Sequence, residues 1–137
     1  MMKKVFVDTD IIIDLLAMRE PHYQFSARLF SKADEGDLKI YVSSLSLSNL
    51  NYILSRQYSA AQARKKLLTF KALVTVLSVS DKSVELALNS DFNDFEDALQ
   101  YFTALEHKIT TLLTRNLKDY KKANISVLTA EQYLKSF

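Results

Sequence analysis

The chain has 137 residues, 18 of them basic and 16 acidic, for a formal net charge of +2. That length fits a single domain spanning residues 1–137, and an apolar share of 48% is enough for a real core. Cysteine is absent, and Gly and Pro occur once each, at Gly36 and Pro21. This excludes a disulfide scaffold, a thiol nucleophile, a Cys-ligated zinc site and the phosphate loops that need several glycines.

Lys4-Val5-Phe6-Val7 is a short β-prone run that ends at Asp8. It is too short and too acidic for a signal peptide. No stretch approaches the roughly 20 apolar residues of a membrane span, so the expected location is the cytoplasm. Ile11 to Ala17 reads as a short helix, with Asp10 as its cap. Pro21 sits where a second helix can begin; Phe25, Leu29, Phe30 and Ala33 follow at helical spacing, and Gly36 stops it.

Leu38 to Val42 reads as a second strand. Ser44 caps a helix carrying Leu45, Leu47, Leu50, Ile53 and Leu54, and Ser59 caps the next, with Ala63, Leu67, Leu68 and Phe70. Leu73 to Val79 is the third strand. Ser80 or Asp81 opens a helix through Leu88, and Asp91 to His107 holds another. Ile109 to Leu113 and Ile125 to Leu128 are the fourth and fifth strands, and Ala130 to Phe137 closes as a short helix. Strands alternating with helices predict an α/β domain with a mainly parallel five-stranded sheet.

In such a sheet ligands bind beyond the carboxyl ends of the strands. The polar residues expected there are Asp8 after strand one, Asn49 in the helix after strand two, and Asp94 and Asp97 in the helix before strand four. Thr114, Asn116 and Asp119 follow strand four. Mg²⁺ and Mn²⁺ are held by oxygen, usually a few carboxylates plus waters. Such ions activate water and stabilise a phosphodiester during in-line displacement. Asp8 and Asp97 are read as metal ligands, with Asp94 and Asn116 as further candidates and Glu96 as solvated. Asp94-x-x-Asp97 also suits a helix start, where carboxylates meet the positive end of the dipole. His22 and His107 lack ligand spacing, and the serines have no evident His–acid partners.

Three blocks, Val5-Phe6-Val7-Asp8-Thr9-Asp10, Asp94-Phe95-Glu96-Asp97-Ala98 and Thr114-Arg115-Asn116-Leu117-Lys118-Asp119-Tyr120, together resemble the PIN-domain family, and within it the VapC-like toxin ribonucleases. The resemblance covers nearly the whole chain. It implies a parallel five-stranded sheet, an acidic pocket binding Mg²⁺ or Mn²⁺, cleavage of single-stranded RNA, a homodimer, and an antitoxin that plugs the pocket. Asp8 matches the family's first acid and Asp97 that of the third block. Asn116 or Asp119 occupies the fourth position, and Thr114 is the supporting hydroxyl.

The chain departs from that pattern where the family usually has Glu in the helix after strand two, since Asn49 stands there, and Asn116 stands where Asp is common. These amides remove up to two negative charges and lower the expected metal affinity. Asn49→Glu is accordingly expected to tighten Mg²⁺ binding by about tenfold. They also motivate a second reading, a non-catalytic PIN-like module that binds RNA or a protein. A haloacid dehalogenase-like phosphatase also opens on a strand and Asp-x-Asp, but Ile11 follows Asp10 where Gly-Thr is preferred, and the chain is short for that fold.

Overall fold

The computed structural model describes residues 2–137. Five strands, Lys3–Val7 (β1), Leu38–Ser43 (β2), Thr75–Leu77 (β3), Thr111–Leu113 (β4) and Ser126–Leu128 (β5), form one sheet in the order β3-β2-β1-β4-β5. Every pairing is parallel, with Val5 opposite Ile40 and Val7 opposite Leu113. The helices are Thr9–Leu16 (α1), Tyr23–Asp34 (α2), Ser44–Gln57 (α3), Ala60–Lys71 (α4), Asp81–Leu88 (α5), Phe95–Glu106 (α6) and Ala130–Lys135 (α7). This is the expected parallel five-stranded sheet flanked by helices. None of the described helices is long and apolar enough to cross a membrane.

The sheet is covered on both faces because its strands are apolar on both. Successive side chains of a strand point to opposite sides. Val5 and Val7 therefore join Ile40, Val42 and Leu113 in the core beneath α1, α2, α3 and α4. Phe6 points the other way and packs with Tyr101, Ala104, Leu112 and Tyr120. Ala87, Ala98 and Leu99 close the gap between α5 and α6.

Several element ends differ from expectation for local reasons. Asp8, not Asp10, caps α1, because its extended backbone lets Oδ1 accept the Thr9 N–H at 2.8 Å. Ser43, not Ser44, caps α3, accepting from the Ser46 N–H at 3.1 Å. α6 begins at Phe95 rather than Asp91, because the Asp94 carboxylate accepts the Asp97 N–H at 2.9 Å and starts the helix there. β3 is shorter than Leu73–Val79, since this edge strand pairs with β2 only from Thr75 to Leu77. Gly36 ends α2 as expected, with φ at +85°, a conformation that only glycine adopts readily. A 3₁₀ turn over Leu117–Tyr120 follows β4 and was not foreseen.

Candidate active site

The chain departs from central β1 toward β2 on one side and is met by β4 on the other, so a crevice opens at the carboxyl ends of β1 and β4. The Asp8 N–H donates to the Leu113 carbonyl at 2.9 Å, and the Thr114 N–H to the Leu128 carbonyl at 2.9 Å. Backbone pairing thus sets Asp8 and Thr114 side by side.

The Asp8 carboxylate is buried and receives donors on both oxygens. Oδ1 accepts from the Thr9 N–H at 2.8 Å and from Gln100 Nε2 at 3.3 Å. Oδ2 accepts from the Thr114 hydroxyl at 3.0 Å and the Tyr120 hydroxyl at 3.0 Å. Gln100 is itself fixed: its Oε1 accepts from the Ser43 hydroxyl at 2.6 Å, and its Nε2 lies 2.7 Å from Ser46 Oγ. Tyr120 is seated by Phe92, 6.1 Å away between ring centroids, which in turn stacks on Tyr101 at 5.2 Å.

Protons are nevertheless too few for the acids present. The single Thr114 proton faces Asp8 Oδ2 and, at 3.2 Å, Asp10 Oδ2. The single Tyr120 proton faces Asp8 Oδ2 and, at 3.3 Å, Asp97 Oδ1. Asp10 Oδ2 also accepts the Arg115 N–H at 2.9 Å, while Asp10 Oδ1 is buried with no partner. The acidities follow from this crowding. Burial raises the Asp8 carboxyl above its ordinary value. Burial, and then the Asp8 charge, push Asp10 to about 6. Burial followed by the charges of Asp8, Asp94 and Asp119 pushes Asp97 to about 7. Burial, and then the charges of Asp8, Asp97 and Asp10, drive the Tyr120 phenol upward, so it stays a donor.

These groups line or back a cavity of about 410 Å³. Asp8, Asn49, Asp97 and Asn116 line it, as does Glu96; Asp94, Thr114 and Asp119 do not. Thr114 acts from behind, through Asp8. Asp94 is occupied as the α6 cap, and Asp119 reaches Asp97 only through its charge. Glu96 is exposed, as expected, yet its Oε2 accepts from Asn49 Nδ2 at 3.4 Å. A carboxylate therefore stands beside the neutral amide of α3.

The donor chemistry fits a hard divalent cation. The cavity's carboxylates and amides offer oxygen donors, its four acids face two arginines of which Arg115 is engaged by Asp14, and one buried carboxylate oxygen is orphaned. Among the described residues no three acidic or histidine side chains converge as a ready-made cage. The set Asp8, Asp97, Asp94 and Asn116 is therefore not drawn to one point. That arrangement suits Mg²⁺, which keeps several waters and is held through one or two carboxylates plus substrate phosphate.

Gln100 and Asp14 lie outside the three sequence blocks, and Tyr120 ends the third block without an expected role. Gln100 follows Asp97 by three residues, on the same helix face, which was the available signal. Asp14 is 1% exposed and forms a two-point ion pair with Arg115, at 2.7 and 3.2 Å, that ties α1 to the segment after β4. Nothing in the local pattern singles it out from a solvated helix residue.

The fold and site together define an α/β domain with an acidic crevice at the carboxyl ends of its central parallel strands. A PIN domain family model matches residues 4–118, and the chain belongs to that family. It is 27% identical to Ribonuclease VapC1 of Aquifex aeolicus (strain VF5) over 139 residues, covering 96% of this chain and 93% of the relative. A toxin–antitoxin complex from Klebsiella pneumoniae contains a chain that superposes with a TM-score of 0.68 at 22% identity, covering 92% of this chain and 97% of that one. VapC20 of Mycobacterium tuberculosis, a sarcin-ricin loop cleaving toxin, gives a TM-score of 0.64 at 19% identity, covering 79% and 86% of the two chains. The resemblance to VapC-like toxins read from the three sequence blocks is thus met by the relatives.

Proposed function

We propose that this protein is a divalent-metal-dependent endoribonuclease that cuts single-stranded RNA in the cytoplasm, as the toxin of a toxin–antitoxin pair. The observation that carries the reading is the proton shortage among Asp8, Asp10 and Asp97 in one cavity. An RNA phosphate brought to those carboxylates without a cation would be repelled. Asp8 and Asp97 would hold Mg²⁺ or Mn²⁺, with the Asn116 amide oxygen as a neutral third donor and water completing the shell. An ion held there would supply an activated water and would stabilise charge on the phosphoryl oxygens.

The remaining residues prepare that chemistry. Gln100 and Thr114 keep Asp8 pointed into the crevice. Tyr120 holds a proton between Asp8 and Asp97 when both are charged. Asp94 starts the helix that carries Asp97, and Asp119 adds negative potential. An antitoxin partner is supported by the complex from Klebsiella pneumoniae. A homodimer rests on the family resemblance alone.

The second reading, a PIN-like module that binds RNA or protein without cutting, is favoured by Asn49 and Asn116 lining the cavity without charge. RNA cleavage assayed with Mg²⁺, with Mn²⁺ and with chelator decides between them. Cleavage is expected only with metal. Asp8→Asn and Asp97→Asn should each lose activity by at least about a hundredfold while melting cooperatively. Full activity in either variant or in excess chelator would defeat the carboxylate–metal mechanism; metal-dependent RNA binding without cleavage would establish the second reading.

A further inference from the structure

Tyr52 is 63% exposed yet lines the cavity that contains Asp8 and Asp97. It follows Asn49 by three residues on α3, so both side chains lie on one helix face. Folding gains little from an aromatic left this open to water. Its ring is nonetheless held. Arg56, one turn further on, donates from Nη1 to the Tyr52 hydroxyl at 3.1 Å, and its guanidinium carbon lies 5.6 Å from the ring centroid. A ring oriented before any ligand arrives costs less to order on binding.

The surrounding charge indicates which ligand this suits. The carboxylates repel phosphate, so a strand that presents one phosphate to a bound cation needs its neighbouring phosphates met by cations elsewhere. Arg19 is exposed and lines the same cavity, and Arg56 is exposed beside Tyr52. Among the described residues neither is in an ion pair. An apolar protein segment has a better seat in the separate groove lined by Leu15, Leu16, Tyr58, Phe70 and Leu73. An open aromatic beside unpaired arginines fits single-stranded nucleic acid, whose bases stack on aromatic rings while cations follow the backbone.

We propose that Tyr52, oriented by Arg56, is a stacking platform for the nucleobase adjoining the phosphate that is cut. The proposal rests on the ribonuclease reading and adds the subsite that positions the strand. Every base has a stacking face, so the platform contributes affinity and placement rather than base identity.

The test measures binding of a fluorescent single-stranded RNA by anisotropy in Ca²⁺, which takes oxygen ligands but acidifies bound water less than Mn²⁺ does, and cleavage of the same RNA in Mn²⁺. Tyr52→Ala should weaken binding on the order of tenfold, with Tyr52→Phe and Tyr52→Trp close to the unaltered protein. The loss should fall mainly on KM, with kcat changed less. An oligonucleotide abasic at the stacked position should bind the unaltered protein and Tyr52→Ala alike. Thermal melts of Tyr52→Ala should match the unaltered protein, because the side chain is exposed. Unchanged affinity and KM in Tyr52→Ala, with Asp8→Asn still inactive, would overturn the platform and leave the ribonuclease reading standing. If the unaltered protein neither binds nor cuts RNA with metal present, the ribonuclease reading fails, and the platform with it.

Discussion

At the end of the sheet, Asp8 is 6% exposed and receives four hydrogen bonds, two of them from Thr9 at the start of α1 and Thr114 just after β4. Across the cavity, Asn49 on α3 and Glu96 on α6 meet through one contact of 3.4 Å between accessible side chains. The floor is set by backbone pairing and buried donors, which leave its groups no alternative geometry. The wall is set by two helix surfaces whose side chains can exchange or change charge without disturbing the core. Substitution at the floor should therefore cost stability or all activity, and substitution at the wall should tune affinity.

The most damaging test of the floor's rigidity is Arg115→Met. It leaves the buried Asp14 carboxylate without a partner, and because Arg115 is itself 34% exposed the expected cost is about 2 kcal/mol, below that of a fully buried pair. Chemical denaturation followed by circular dichroism should show that loss. A change under about 0.5 kcal/mol, the range of an ordinary surface substitution, would mean that the ion pair does not anchor the segment after β4.

Asp97, joined to the floor through Tyr120, gives a smaller effect on stability that is read through pH. Its carboxyl is raised from 3.8 to about 7 in the folded protein, and Asp10 is raised to about 6. Between the unfolded and folded values the native state binds more protons than the unfolded chain, so stability falls as pH rises through this window. In chelator, the melting temperature should decline between about pH 5 and pH 7.5, and excess Mg²⁺ should flatten the decline by replacing the proton. Asp97→Asn should show a shallower slope than the unaltered protein. A melting temperature that rises with pH across the window would contradict the crowding of uncompensated carboxylates.

The smallest effect is expected at Asn49. From the sequence alone, Asn49→Glu is expected to tighten Mg²⁺ by about tenfold. The structure lowers that figure, because Glu96 already stands beside residue 49 and a second carboxylate there meets like charge. A gain below about threefold is expected for Asn49→Glu. Asn49→Glu combined with Glu96→Gln, which moves the charge from α6 to α3, should bind Mg²⁺ like the unaltered protein. Calorimetric titration distinguishes these; a full tenfold gain in the single variant would show that Glu96 does not share the site's field.

The alternation of short β-branched runs with helical spacing was enough to specify five strands and the helices between them. That information is local: a period of two or of 3.6 residues is written into neighbouring positions. The end of an apolar strand at Asp8, and the blocks around Asp97 and Thr114, likewise marked where the crevice would form. Ends were less legible, as at Asp8 against Asp10 and Ser43 against Ser44, because residues of the same type one or two positions apart differ only in backbone conformation, which the packed fold selects. The completed site was beyond local pattern altogether. Gln100 and Tyr120 reach Asp8 from 92 and 112 residues away, and Glu96 meets Asn49 across 47. Those meetings depend on strand order and helix packing, which set distances in space that no spacing along the chain encodes.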